Sequence, residues 1–503
     1  MSEGDGSGIA QGRRVVPAWA VLTLVCLGQF MVVLDISVVN VALPSIQGDL
    51  GFSRSGLQWV VNAYTLAFAG FLLLGGRAAD LFGRRRMFVL GLGVFAAASL
   101  VGGLAQNSTM LVAARAIQGL GGAILAPATL TILTTSFTEA KERARALGVW
   151  SAMAAAGGAS GAILGGFLTD ALSWRWILFI NVPIGVGAVI AARAVLAESK
   201  AEPRERRGLD VAGALTVTAG LVSLVYGIVG TEQHGWTSWQ TVVPVVLAAV
   251  LLGGFVLIEA RLAQAPLMPL GLFRSRSVSG ANLVILLTGA AFFSMWYFLS
   301  LYMQNVLGWG PLTAGFAFVP MTAAIVVGAQ VAARLVPVVG ARPLLVIGGV
   351  SAAVGLAWMS GISPHGTYVG DLLGPGLVVT LGLGLAFTPV AFAATAGVPP
   401  RDAGLASGVL NTTRQVGGSV GLAVLATLAA DRTAAVQGTF ESRETTIVAL
   451  TAGYSRAFVV GAAIAAAGAL AALVVPSIRP GRAARIAEPT TVEAGVPEAA
   501  VDA

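Results

Sequence analysis

Residues 15–43 read VVPAWAVLTLVCLGQFMVVLDISVVNVAL. At 1.5 Å of rise per residue, a helix of this length crosses the roughly 30 Å hydrocarbon layer of a bilayer. One carboxylate, Asp35, stands well inside the run. An acid in hydrocarbon costs about 2.5–3.5 kcal/mol even on mild insertion scales. Such residues are kept for one of two reasons: an ion pair that ties helices together, or a proton that comes and goes.

The rest of the chain repeats the apolar pattern. It has 503 residues, 56% hydrophobic and only 11% charged, with mean hydropathy +0.85. A soluble domain averages about 25% charged residues. Runs of spanning length recur at roughly 17–42, 56–79, 87–105, 109–134, 145–169, 174–196, 209–230, 241–260, 278–303, 312–335, 342–361, 371–394, 402–429 and 453–476. These predict an all-α polytopic membrane protein of about fourteen transmembrane helices. No soluble catalytic domain fits in the remainder.

Lys and Arg collect in cytoplasmic loops. Counting from Arg13 and Arg14, the expected inner connections carry Arg84, Arg85 and Arg86; Lys141, Arg143 and Arg145; Lys200, Arg204, Arg206 and Arg207; Arg261, Arg274 and Arg276; Arg334 and Arg342; Arg401; and Arg479, Arg482 and Arg485. The outer ones hold only Arg54, Arg175, Arg432, Arg443 and Arg456. Both termini are therefore expected to be cytoplasmic. The net charge of +7 fits helix orientation and anionic headgroups rather than nucleic acid. The first apolar run is too long for a signal peptide and ends in Asn40 and Pro44 rather than a cleavage site. Cys26 is the only cysteine, and His234 and His365 are isolated in outer loops, so neither a disulfide framework nor a metal site is expected. No cofactor is implied. Arginine nearly everywhere in place of lysine, with abundant Ala, Gly and Val, suggests a GC-rich bacterial gene and hence the bacterial inner membrane.

Two loops echo one another. Gly76-Arg77-Ala78-Ala79-Asp80-Leu81-Phe82-Gly83-Arg84-Arg85-Arg86 follows the second helix, where glycines permit a tight turn and Asp80 can meet a helix end or an arginine. A weaker echo follows helix ten: Ala333-Arg334-Leu335-Val336-Pro337-Val338-Val339-Gly340-Ala341-Arg342 keeps the late glycine and a base but has Pro337 where the acid should be. Such a pair suggests an internally duplicated transporter with its site between the halves.

With these motifs the chain resembles the major facilitator superfamily, and within it the fourteen-span drug:proton antiporters. The resemblance rests on Leu34–Pro44, the 76–86 loop, Ala113-Ala114-Arg115-Ala116-Ile117-Gln118-Gly119, Trp174-Arg175-Trp176-Ile177 with Asn181-Val182-Pro183-Ile184-Gly185, and Ala406–Gly418. It covers nearly the whole chain except the tails. It implies two six-helix bundles, at 17–200 and 266–478, with two additional helices at 201–265 and disordered tails at 1–16 and 479–503. It further implies Arg115 as a buried arginine, an inner gating loop of Gly76, Asp80, Gly83, Arg84 and Arg85, and an antiporter helix around Gly157, Gly161, Gly165 and Gly166. Gly157, Gly161 and Gly165 lie on one helix face, where small residues let another helix approach closely. Two positions depart from the pattern. Leu81 replaces a base, and Ala162 stands where proline is usual, which questions the bend of that helix.

Asp35 and Arg115 fall at similar expected depths, about 10–14 Å below the outer helix ends, so a charge pair is feasible. Paired, the acid stays ionised; separated, desolvation favours its proton. A static bridge between two helices is the competing reading. Arg414, about 18 Å along its helix and flanked by Asn411 and Gln415, is expected to hydrogen-bond across a cavity, to orient an anionic group or to stabilise its bundle. Phe292, Phe293, Trp296, Tyr297, Phe298 and Tyr302, with Trp59, Tyr64 and Phe68, offer rings for a flat amphipathic molecule or for lipid. Asn40 joins the cavity candidates. Helices nine to twelve hold no mid-membrane acid, which favours a neutral or monocationic hydrophobic substrate over a dication.

The expectation is a proton-coupled exporter working as a monomer, with a small hydrophobic substrate, protons and lipid as its partners. Transport of an endogenous metabolite or lipid-like molecule is the alternative, and a non-transporting sensor would need an output domain that the short tails do not supply. No P-loop, nucleophile elbow or His/Cys/Asp cluster points to an enzyme or to ATP-driven transport.

Overall fold

A computed structural model describes residues 17–137, 139–199, 208–264, 266–396, 398, 402–437 and 442–477. Arg13, Arg14, Lys200, Arg204, Arg206, Arg207, Arg401, Arg479, Arg482 and Arg485, and both tails, lie outside them. All regular structure in the described residues is helical. The first half of the chain holds α1 (Ala18–Leu50), α2 (Trp59–Phe82), α3 (Arg84–Gly103), α4 (Ser108–Ser136), α5 (Ala140–Ala171), α6 (Trp176–Phe179), α7 (Asn181–Val195), α8 (Val211–His234) and α9 (Trp239–Leu257). The second holds α10 (Arg276–Leu301), α11 (Pro311–Ala317), α12 (Val319–Val339), α13 (Ala341–Met359), α14 (Gly374–Thr395), α15 (Ala403–Gln437) and α16 (Arg443–Ala471). Among the described residues, 13 helical segments are long and apolar enough to cross a membrane, α6–α7 and α11–α12 each counting as one. The Gly- and Ala-rich α5 is a further long helix at the span expected over 145–169. The protein is a multi-pass helical membrane protein.

Several helix ends differ from expectation. The first helix does not stop near residue 42. It runs through Pro44 to Leu50 and ends at Gly51 in the left-handed region, φ 66°. Proline removes one backbone bond, but Val41, Ala42, Leu43 and Ile46 are buried around it and hold the helix on course. The 76–86 segment is hardly a loop: α2 runs to Phe82 and α3 begins at Arg84, leaving Gly83, at φ 113°, as the break. Gly340, at φ 82°, breaks α12 from α13 in the same way, so the weaker echo keeps the geometry even with Pro337 inside α12. The 430–452 segment is mostly helix, with Asp431 and Arg432 on α15 and Arg443 and Glu444 opening α16. Ser442 and Thr445 cap α16 reciprocally. Glu441 lies outside the described residues. Without the usual proline, α5 is one unbroken helix.

The chain divides into two compact units. The first takes the chain up to Val222, with Ala263–Leu267 and Trp309–Phe318. The second takes Ser223–Leu262, Met268–Gly308 and the chain from Val319. The pair expected as a separate segment is thus shared out, α8 dividing after Val222. In the first unit the core is built from residues such as Met31, Phe68, Phe88, Leu92, Phe95 and Leu125. Here the glycine face of α5 lies on α1. A Cβ on Gly161 would come within 2.5 Å of the Ser37 Cβ, one on Gly165 within 2.7 Å of the Val38 carbonyl, and one on Gly157 within 3.0 Å of the Phe30 carbonyl. Gly166 meets the Pro311 carbonyl instead. In the second unit α10 and α15 are similarly close: a Cβ on Gly289 would reach the Arg414 carbonyl at 2.5 Å, and Gly417 meets the Leu286 carbonyl.

Candidate functional site

Asp35 sits at the middle of α1 and is fully buried. Its Oδ2 accepts from Arg115 Nη1 at 2.5 Å. Its Oδ1 accepts from Gln118 Nε2 at 2.7 Å and Asn181 Nδ2 at 3.1 Å. Arg115 and Gln118 are three residues apart on α4, so both reach the same face. The guanidinium also donates through Nε to the Val60 carbonyl of α2 at 3.0 Å and through Nη1 to Gln118 Oε1 at 2.7 Å. Its carbon stands 4.5 Å from the centre of the Tyr64 ring. Gln118 Nε2 extends the network to Ser99 Oγ of α3 at 2.7 Å. Five elements, α1, α2, α3, α4 and α7, therefore supply one polar cluster.

An ionised carboxylate accepts and cannot donate, and every neighbour of Asp35 presents a donor. The arrangement accordingly matches a charged Asp35 held against a charged Arg115. Two buried polar atoms at the site have no partner: Tyr64 Oη and Asn181 Oδ1. The unused Asn181 acceptor lies on the amide that already donates to Asp35. A protonated acid would need such an acceptor.

The structure brings Asp35 and Arg115 together, as their depths suggested. Gln118 and Asn181 stood inside quoted motifs without an assigned role, and Ser99 carried no signal among the small residues of α3. Tyr64, expected to offer its ring to a substrate or to lipid, instead serves Arg115. It is fully buried, with its face on Arg115 and its ring 6.0 Å from Phe68.

At the arginine-rich break, Asp80 pairs with Arg84 at 3.5 Å, and the Arg84 amide donates to the Ser199 carbonyl at 3.0 Å. Glu198, unmarked in the sequence, accepts from the Arg85 amide at 3.1 Å and lies 3.8 and 3.6 Å from the Nε atoms of Arg85 and Arg86. Gly76 packs on Pro127. Leu81 is half-buried and adds no charge.

The remaining cavity candidates scatter. Asn40 is half-buried and bonds back to the Ile36 carbonyl at 3.1 Å, and Trp59 is half-buried at the start of α2. In the second unit Trp296 is half-buried and lies 6.0 Å from Phe292, which also meets Phe293 at 5.8 Å and Phe387 at 6.0 Å. Tyr297, Phe298 and Tyr302 are buried in that unit's interior, Phe298 against Tyr454 and Phe458. Gln415 is buried, while Arg414 is half-buried and donates through Nη2 to Asn411 Oδ1 at 2.8 Å. Among the described residues, no group of three His, Cys, Asp or Glu side chains could hold a metal.

The sequence profile described as Major Facilitator Superfamily matches residues 25–422. The chain is 49% identical over 412 residues to a cephamycin export protein of Amycolatopsis lactamdurans, covering 82% of this chain and 85% of that one. It is 42% identical over 425 residues to a puromycin resistance protein of Streptomyces alboniger, covering 83% of each. Among solved structures it matches a bacterial homologue of the human lysosomal transporter Spinster, with a TM-score of 0.62 at 16% identity over 91% of this chain and 97% of that one. This last likeness concerns the fold alone.

Proposed function

The chain belongs to the major facilitator superfamily and is a transporter rather than an enzyme, and we propose that it exports a hydrophobic drug or antibiotic in exchange for protons. The export and resistance functions named for its relatives support the direction and the class of cargo. The observation that carries proton coupling is the fully buried Asp35–Arg115 pair, ringed by Gln118 and Asn181. Charges are kept at such depth for structure or for function, and this acid has both a counter-ion and a neighbouring spare acceptor.

The mechanism follows from solvation. While the pair is closed, Arg115 compensates the carboxylate and no proton is needed. A rearrangement that draws Arg115 away leaves an uncompensated anion in a medium of low dielectric, and a proton from the outer side neutralises it. The amide of Asn181 can then turn its free oxygen to the new hydroxyl. Return of Arg115 expels the proton on the other side. Asp80–Arg84 and the Glu198–Arg85–Arg86 cluster tie the arginine-rich end of the first unit, and in this reading they open and re-form during that cycle. The protein would act as a monomer in the bacterial inner membrane with both termini in the cytoplasm.

The static-bridge reading draws on the same geometry, since three donors to one carboxylate also make a firm structural tie. Substrate-induced proton release from inverted vesicles decides between them. The wild type is expected to release protons on drug addition and Asp35→Asn to insert but not to do so. Equal release by both assigns Asp35 to structure, and a requirement for ATP removes the antiport reading. Movement of a metabolite but of no drug would favour the endogenous-substrate alternative.

A further inference from the structure

The second unit holds a charge that the proton cycle does not use. Arg414 stands 11 residues into α15, about 17 Å along the helix from Ala403, further than the side chain can reach back to a helix end. No ion pair within 4 Å involves it among the described residues, and its Nε is buried without a partner. Asn411 takes one hydrogen of Nη2. A guanidinium has five, arranged in a planar fork that matches a carboxylate. The described acids of this unit lie elsewhere. Glu232 lies in the last turn of α8, Glu259 follows the end of α9, Asp371 precedes α14, Asp402 precedes α15, Glu444 opens α16, and Asp431 is 17 residues further along α15. Arg115 in the first unit shows the contrast, with a carboxylate, an amide, a carbonyl and a ring all committed to it.

One helical turn along α15 from this arginine the helix meets an aromatic group. A Cβ on Gly418, one turn beyond Arg414, would come within 2.7 Å of the Phe293 ring, so that ring lies directly on α15. Phe292 meets Phe293, Trp296 and Phe387 edge to face. Holding a cation at mid-membrane depth with one amide acceptor and a buried, unpartnered Nε costs free energy that these protein contacts do not recover. A ligand that brings a carboxylate to the fork and an aromatic or aliphatic body to the rings does recover it.

We propose that Arg414 anchors the carboxylate of an amphipathic monoanionic substrate, whose apolar body rests on Phe292, Phe293 and Trp296. This rests on the efflux reading and narrows its cargo. It replaces the neutral or monocationic substrate suggested by the lack of mid-membrane acids, because that same lack leaves no counter-ion for a cation while a free guanidinium is present.

The test compares 4-(pyren-1-yl)butanoate with its uncharged primary amide, binding to the protein in lipid nanodiscs. Energy transfer from tryptophan to pyrene is the readout, with empty nanodiscs subtracted. Charge-assisted hydrogen bonds contribute about 1.5–3 kcal/mol, so the wild type is expected to prefer the acid by roughly 10- to 100-fold. Arg414→Gln should abolish the preference. Arg414→Lys, a point charge without the fork, should retain part of it. Asn411→Asp places a carboxylate on the neighbour already 2.8 Å from Nη2, and should abolish the preference with Arg414 still present, even if Arg414→Gln folds poorly. A wild type without preference, or a preference untouched by both Arg414→Gln and Asn411→Asp, overturns the proposal. Proton release from inverted vesicles is scored separately, so failure of antiport leaves the binding preference standing, and the reverse holds.

Discussion

Removing one member of the Asp35–Arg115 pair should harm the protein more than removing both. Asp35→Asn keeps shape and keeps an oxygen for Gln118 and Asn181, but it takes the counter-charge from Arg115. The guanidinium then has only the Val60 carbonyl, Gln118 Oε1 and the Tyr64 face. With side chains 2% and 0% exposed, the two charges are deeply desolvated. Breaking such a pair costs about 3–5 kcal/mol, whereas replacing both charges is often near neutral. A face-on cation–π contact contributes about 2 kcal/mol when desolvated, too little to close that gap. Against a typical total stability of about 5–15 kcal/mol the loss is large. The protein carries its own reporter in Cys26, its single cysteine, buried in α1 at 4% exposure. Heating the detergent-solubilised protein with a thiol-reactive fluorogenic dye reads the opening of the first unit. Asp35→Asn should melt well below the wild type, and Asp35→Asn/Arg115→Gln should recover most of the difference while still failing to release protons. A double variant no more stable than the single would refute the charge-compensation argument. A double variant that still couples would place the proton elsewhere.

Other consequences are more local. Gly165→Ala would press a methyl to 2.7 Å from the Val38 carbonyl, so α1 and α5 must part at a cost of about 1–3 kcal/mol, while Gly158→Ala meets only Val33 at 3.9 Å and should be tolerated; the Cys26 melt compares the two. Gly83→Ala should destabilise by about 1–3 kcal/mol, since φ 113° suits glycine alone and the methyl would strike the Glu198 carboxylate; Gly340→Ala, at φ 82°, should also lose stability through the backbone strain, and unchanged melts would contradict both. Glu198→Gln removes pairs with arginines that are 36% and 66% exposed, so it should cost no more than about 1 kcal/mol, and that difference should fade in high salt. Tyr64→Phe deletes a hydroxyl with no partner and should leave the melt nearly unchanged, whereas Tyr64→Ala opens a cavity under Arg115 and should cost about 3–5 kcal/mol.

Membrane helices were legible in this chain because partition into lipid depends on a run of neighbouring residues, and so was the anomaly of Asp35 within one of them. Helix ends were less so. Pro44 reads as a stop, yet it lies inside a helix whose flanks are buried, and the turn at Gly83 needs one residue where a longer loop was expected. Arg115 could be nominated from the family resemblance, and its depth made a pair with Asp35 feasible. Its company could not: Asn181 is 146 residues from Asp35 in sequence, and Ser99 enters only through Gln118. Glu198 likewise joins Arg85 across 113 residues.

Apolar runs, basic loops and the buried acid belong to the amino-acid order itself, since hydration and charge are properties of the residue and its immediate neighbours. Which side chains complete the acid's shell, that Tyr64 serves Arg115, and that Arg414 is left with a free edge depend on how each helix is rotated and how closely it approaches the next. Those rotations are set by contacts such as Gly161 on Ser37 and Gly289 on the Arg414 carbonyl, between residues far apart along the chain. Only the folded packing could decide them.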